Sequence, residues 1–257
     1  MSFNILREDL GGTANKWAKR KDAVLNMINV NSPAVLGLQE CSWTIRQDIL
    51  AAYSNMSAVG VSVSGQESGY TNESSNTIIY RNDIIEVLNS GTFWLSSTPD
   101  EVSNTYGDAN KPRTCTWVKC KIKGGEKSFY LFNAHIESYA NVTQRHNAVK
   151  VILNKIQNIN TENLPVIITG DHNDKESDLT GYIGSGFVSA RSSATNTDED
   201  PTLNGFGADY EAGKDVVIDH IYTKGCNVHS FYVDRSRYNG RDYISDHYPV
   251  ICDMTLN

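Results

Sequence analysis

Apolar residues recur along this chain at two spacings, and the spacing changes several times. Residues 2–6 read as a strand, with Phe3, Ile5 and Leu6 as its apolar positions. Trp17, Val24, Leu25 and Ile28 then recur at helical spacing, which predicts an amphipathic helix over 15–30. The apolar run 33–38 predicts a short strand, and Ser42 reads as the N-cap of a second helix carrying Ile45, Ile49 and Tyr53. The middle is strand-rich, at 58–63, 77–80, 84–95, 114–122 and 128–135, with Gly124 and Gly125 as a hairpin signal between the last two. Val149, Ile152, Leu153 and Ile156 mark one face of a helix over 142–159, and 165–169 is a buried strand. Residues 189–215, rich in Ser, Thr, Asn, Asp and Gly, predict a long loop. Strands at 216–222, 227–233 and 248–254 close the chain. Helices between strands, together with hairpin-like strand pairs, predict an α/β (α+β) layered sandwich of mixed sheets, one domain over 1–257.

Composition adds limits. With 39% hydrophobic and 21% charged residues the chain can bury a large core, and nothing points to disorder. A formal charge of −7 disfavours broad non-specific binding to nucleic acid, although a metal or a local basic patch can reverse the field at one site. Five cysteines, none in a C-x-x-C pair, read as buried thiols rather than a disulfide framework or zinc site. No apolar run approaches the ~18 residues of a membrane span. A strand that begins at Met1 suggests an upstream leader, in which case the protein is secreted or periplasmic; otherwise it is cytoplasmic. A monomer is expected.

Polar residues gather where apolar strands end. Asn4 lies in the first strand and Glu40 follows 35–38. Asn133 and His135 end 129–132, Asp171 and Asn173 follow 166–169, Asp219 and His220 fall within 216–222, and Asp246 and His247 precede 248–251. Side chains at strand ends converge from distant parts of a chain. Asn and carboxylates are hard oxygen donors that favour Mg²⁺, Mn²⁺ or Ca²⁺ over zinc, and histidines without ligand-like spacing suit acid–base work or phosphate contacts. Phosphoester cleavage needs a Lewis acid, an activated water and donors for developing charge, and this set supplies all three. A carboxylate at Asp219, beside the β-branched run Val216, Val217 and Ile218, needs a partner, and His247 is the expected one.

Each motif alone is weak; the ordered set is specific. SFNIL (2–6), LQE (38–40), KPRTCTW (111–117), FNAHIES (132–138), GDHND (170–174), TLNGFG (202–207), VIDHIY (217–222) and SDHYPV (245–250) resemble the endonuclease/exonuclease/phosphatase superfamily, the DNase I-like metal-dependent phosphoesterases, in a bacterial-type member. The resemblance implies a four-layer sandwich, two mixed sheets face to face with helices outside. It implies a metal held chiefly by Glu40, with Asn4 and Asp246 nearby, directly or through water. Asp171 and Asn173 would orient the nucleophilic water and the phosphate, His247 held by Asp219 would be the catalytic imidazole, and His135 would donate to the phosphate or leaving group. Arg113, Asn133, His135 and Asn173 would contact the phosphate. His172 departs from the family pattern, His220 reads as structural, and the residue that takes the place of the family glutamate supporting His135 is left open between Glu73 and Asn76. The implied activity is hydrolysis of a phosphoester in nucleic acid, a nucleotide, a sugar phosphate or a phospholipid headgroup. The alternative is a silent member that binds a phosphorylated ligand or a protein. Phe206, Tyr210, Tyr238 and Tyr243 are candidate stacking residues beside ordinary loop packing.

Overall fold

The computed structural model describes residues 1–105, 111–138, 140–207 and 216–257. In chain order the elements begin with β1 (Ser2–Asn4), α1 (Gly12–Asn15), α2 (Trp17–Asn31), β2 (Val35–Gln39), α3 (Trp43–Ala52), β3 (Met56–Val59) and β4 (Ile78–Arg81). Next come β5 (Ile85–Trp94), β6 (Thr114–Ile122), β7 (Ser128–His135), α4 (Val142–Ile159) and β8 (Val166–Asp171). The last third holds α5 (Thr180–Gly184), β9 (Val188–Ser189), α6 (Ala190–Ser193), β10 (Asp219–Lys224), β11 (Cys226–Val233) and β12 (Val250–Leu256). They form two six-stranded sheets, ordered β11-β12-β1-β2-β4-β3 and β5-β6-β7-β8-β10-β9. Both are mixed: β1 and β2 run parallel, as do β7 and β8, within otherwise antiparallel neighbours.

Strand alternation explains the layers. In β7, Tyr130, Phe132 and Ala134 join Val149, Ile152 and Ile156 of α4 in one core. The intervening Phe129 and Leu131 join Val35, Ile78, Ile167 and Val250 in a second core, between the sheets. A third core packs Phe3, Leu36 and Leu38 against Val24, Ile28, Ile45 and Ile49 of α2 and α3. Three cores between four layers make the expected sandwich.

The inward faces turn polar toward one end. After Phe129 and Leu131 the same parity brings Asn133 and His135; after Ile167 it brings Thr169 and Asp171. There the sheets approach closely. A Cβ on Gly37 would meet Asn133 Oδ1 at 2.7 Å and Thr169 Oγ1 nearer still. Gln39 donates to Asn133 Oδ1 at 2.6 Å, and Asn133 Nδ2 donates across the gap to the carbonyls of Leu38 (2.8 Å) and Thr77 (3.2 Å).

Several boundaries differ from those predicted. β1 stops at Asn4, and Leu6 beyond it is left-handed with φ 58°. β3 covers 56–59 rather than 58–63, β8 runs on to Asp171, and β10 begins at Asp219 rather than 216. Because β10 is antiparallel to β8, its start, not its end, lies at the polar edge. α5, α6 and β9 were not predicted; none is long enough to show a periodic pattern. Of the predicted loop 189–215, residues 208–215, Tyr210 among them, lie outside the described residues. Cys41, Cys115 and Cys120 are buried free thiols, while Cys226 and Cys252 are partly exposed. No described helix is long and apolar enough to cross a membrane.

Gly37→Ala is expected to lower stability by about 1–3 kcal/mol through overpacking. Gly184→Ala, where an added Cβ meets nothing within 4 Å, serves as the neutral control. Urea titration of both variants checks this, and an undiminished Gly37→Ala protein would mean the sheets are free to separate there.

Candidate active site

The polar edge collects side chains from both sheets. β7, β8 and β10 are adjacent, and their register pairs His135 with Asp171 and Asp171 with Asp219. The other sheet contributes Asn4 from β1, Glu40 just past β2, and Asp246 and His247 ahead of β12. Sequence separations of up to 243 positions therefore close into one cluster.

Asp171 is its centre. Oδ2 accepts from Asn4 Nδ2 at 2.9 Å and lies 3.5 Å from His135 Nε2 and 3.7 Å from His247 Nε2. Oδ1 accepts from the Asn173 N–H at 3.0 Å. Burial pushes the Asp171 carboxyl up to about 7, opposed by His247 and assisted by Asp219. His247 Nδ1 lies 2.8 Å from Asp219 Oδ2, so the pair expected from the sequence is hydrogen-bonded. Burial works against charge on His247, but the carboxylates of Asp219 and Asp171 outweigh it and push the imidazole up to about 10. The two carboxylates thus favour the imidazolium form of His247. His135 goes the other way: burial, then the Arg113 guanidinium, hold it well below 6.5.

Glu40 and Asp246 stand at the rim, both partly exposed. Glu40 is left-handed with φ 57°, a conformation uncommon outside glycine that concentrates at functional sites. Its oxygens accept only long hydrogen bonds, from Asn4 Nδ2 at 3.4 Å and the Arg7 N–H at 3.3 Å. Asp246 Oδ1 accepts from Ser245 Oγ at 3.1 Å. Partly exposed carboxylates with so few short partners fit a hard divalent cation. Asn4 accepts the Leu6 N–H through Oδ1 at 3.1 Å and turns its NH₂ toward Glu40 and Asp171, which orients both carboxylates. Asp171, Asp219 and His247 also present ligand-type atoms within 4.8 Å of one another; there Asp219 Oδ2 is bonded to His247 Nδ1, while Asp219 Oδ1 is buried with no hydrogen-bond partner.

One residue that matters here escaped sequence reasoning. Arg20 is fully buried and donates to the carbonyls of Asn15 (2.6 Å), Ile5 (2.6 Å), Leu6 (2.8 Å) and Ile244 (2.8 Å). It ties the segment after Asn4 to the segment before Asp246. Burial pulls the guanidinium down to about 10, so it stays charged at neutral pH, facing the field of Asp246 and Glu40. The available signal was a cation on the apolar face of α2, three residues from Trp17 and four from Val24.

Other expected residues sit differently. Asn133 is wholly buried and donates through its amide to the carbonyls of Leu38 and Thr77 on the other sheet. Asn173, left-handed at φ 49°, donates through Nδ2 to the Ile136 carbonyl at 2.8 Å and so ties two site loops together. Glu73 accepts from Ser64, and Asn76 donates to Thr114; the hydrogen-bond partner of His135 Nδ1 is instead Arg113, at 3.1 Å. His172 and His220 are buried behind the site, bonded to Gly170 and Tyr182 and to Asp174 respectively. Tyr238 is buried and donates to Asp234, whereas Phe206 is partly exposed on a left-handed turn whose neighbours Asn204 and Gly205 donate to the Asp246 carbonyl.

A four-layer sandwich with carboxylates and imidazoles gathered at one edge of its seam is the DNase I-like architecture. Residues 1–247 match the endonuclease/exonuclease/phosphatase family, and the chain belongs to it. It is similar to an endonuclease/exonuclease/phosphatase of Bacteroides vulgatus, with 29% identity, 100% of this chain and 97% of that chain covered, and a TM-score of 0.89. A mannosyl-6-phosphatase of Bacteroides thetaiotaomicron is 26% identical, covering 99% of this chain and 98% of that one, with a TM-score of 0.88. The catalytic domain of human nocturnin shares the fold at 19% identity, with 99% and 93% covered and a TM-score of 0.77. Family membership supports phosphoester hydrolysis.

If Asp219 and His247 work as a unit, His247→Ala should lower kcat by about 10²–10⁴. Asp219→Asn should impair turnover as well, and the double variant should lose less than the product of the single losses. Steady-state kinetics on all three variants decides it; multiplicative losses would mean independent roles.

Proposed function

We propose that this protein is a divalent-metal-dependent hydrolase of phosphoester bonds that works by in-line attack of water. The observation that carries the reading is Asp171, a buried carboxylate within 3.7 Å of two imidazole nitrogens, with the partly exposed carboxylates of Glu40 and Asp246 at the rim. Glu40 and Asp246, with Asn4 orienting Glu40, would hold Mg²⁺ or Mn²⁺, which supplies Lewis-acid polarisation of the phosphoryl group. Asp171 accepts the proton of the attacking water as its oxygen bonds to phosphorus. The bond from phosphorus to the leaving oxygen breaks, and the His247 imidazolium, oriented by Asp219, gives that oxygen a proton. His135 donates a hydrogen bond to a non-bridging oxygen.

The substrate we favour is a small phosphomonoester such as a sugar phosphate. The net charge of −7 does not attract a polyanion, and the similar mannosyl-6-phosphatase points the same way. A phosphodiester is the second reading, since the family name covers nucleases too.

Hydrolysis of p-nitrophenyl phosphate and mannose 6-phosphate should vanish in EDTA and return with Mg²⁺ or Mn²⁺, and should exceed hydrolysis of bis(p-nitrophenyl) phosphate. Glu40→Gln should weaken metal affinity in calorimetric titration while leaving the melting temperature of the metal-free protein nearly unchanged. Full activity in metal-free buffer would contradict the metal assignment, and faster diester cleavage would contradict the substrate assignment.

A further inference from the structure

The two histidines that flank Asp171 are supported by groups of opposite charge. His247 Nδ1 faces the Asp219 carboxylate at 2.8 Å. His135 Nδ1 faces a guanidinium, Arg113 Nη1, at 3.1 Å. Arg113 lies just ahead of β6, two residues before Cys115, which pairs with Ala134 of β7; continued one step past the strand, that register sets Arg113 opposite Ile136, the residue after His135. Its orientation is set from behind. Nε donates to Glu137 Oε2 at 3.1 Å and Nη2 to Glu137 Oε1 at 3.4 Å, and the Glu137 side chain is almost wholly buried.

A guanidinium has five N–H donors and no acceptor. The ring nitrogen it touches must therefore be the acceptor, which leaves the ring proton on Nε2, 3.5 Å from Asp171 Oδ2. A carboxylate in the place of Arg113 would do the reverse, drawing the proton to Nδ1 and favouring the cation. We propose that Arg113 is a positioning residue that locks His135 as the neutral Nε2–H tautomer, so that His135 serves as a hydrogen-bond donor and carries no proton through the reaction.

The charged and titratable groups facing His135 agree with this. Arg113 comes from the segment before β6, Asp171 and His172 from β8 and its end, and His247 from the segment before β12. Asp171 is the carboxylate among them, and its Oδ2 also lies 3.7 Å from His247 Nε2. Burial and then the charges of Arg113, His247 and His172 all oppose a second proton on the ring. One carboxylate oxygen is thus shared by a histidine backed by a carboxylate and a histidine backed by a guanidinium.

The part of this that concerns turnover rests on the hydrolase reading; the tautomer does not. Long-range ¹H–¹⁵N spectra of the histidine-labelled, substrate-free protein read the tautomer directly, with His135→Gln to assign the signals. At neutral and mildly acid pH, His135 should show a protonated Nε2 and an unprotonated Nδ1. Arg113→Lys should keep that pattern. Arg113→Met should allow His135 to titrate upward by at least about one pH unit, and the acid limb of kcat should move upward with it. Sign follows from charge: without the guanidinium the imidazolium is favoured, so activity is lost on the acid side and recovered as pH rises. A protonated Nδ1 or an imidazolium in the unmodified protein at neutral pH would overturn the proposal whether or not any variant folds. So would an Arg113→Met protein with an unchanged His135 pattern and a KM raised equally at every pH, the signature of a phosphate contact alone. If no substrate is turned over, the spectra still decide the tautomer, and the failure belongs to the hydrolase reading.

Discussion

Between Gly37 in one sheet and Asn133 and Thr169 in the other there is no room for a methyl group. This close approach fixes the distance between two surfaces that each carry half of the site. Asn4, Glu40, Asp246 and His247 belong to one sheet and its loops; His135, Asp171 and Asp219 belong to the other. Apolar packing holds the rest of the seam but is non-directional, and it tolerates small shifts. The hydrogen bonds from Asn133 to Leu38 and Thr77, and from Gln39 to Asn133, do not. They convert a sandwich interface into a fixed register directly beneath the reacting groups.

On that base the chain sets opposing electrostatic demands. Burial alone would neutralise both Asp171 and His247, yet each stabilises the other's charge, and Asp219 tips the imidazole toward its cation. Arg20 does comparable work with no carboxylate bonded to it. Its N–H groups bind carbonyls from the two segments that lead to the rim, so its charge faces Glu40 and Asp246 while its geometry holds them in place. Left-handed backbone at Leu6, Glu40 and Asn173 marks the cost of turning the chain sharply at each strand end. Such strain persists only where surrounding contacts over-determine it.

Long periodic elements were legible from the sequence. β6, β7 and α4 have the boundaries their patterns predict, because a sustained period and a Gly-Gly turn agree; in the structure a capping box of Asn141 and Gln144 fixes the start of α4. α5, α6 and β9 were not, because each is defined by its neighbours rather than by its own periodicity. The carboxylates and histidines were visible as polar interruptions at strand ends. The cross-sheet role of Asn133 was not drawn from the sequence although the signal was present: parity with Phe129 and Leu131 places it on the inter-sheet face. The contact between Arg113 and His135 depends on the register of β6 against β7, which residue types alone do not specify. Arg20 was passed over because a cation on an apolar helical face looks like a surface residue until its carbonyl partners are placed.

The division of labour between rim and centre is the claim on which the chemistry turns, and the position of the metal tests it most directly. In crystals soaked with Mn²⁺, the anomalous difference map should show a peak between the carboxylates of Glu40 and Asp246, with the hydrogen bond from His247 to Asp219 intact. A peak instead within the Asp171, Asp219 and His247 group would mean that the centre is the metal cage, and the proton-transfer roles given to those residues would be wrong.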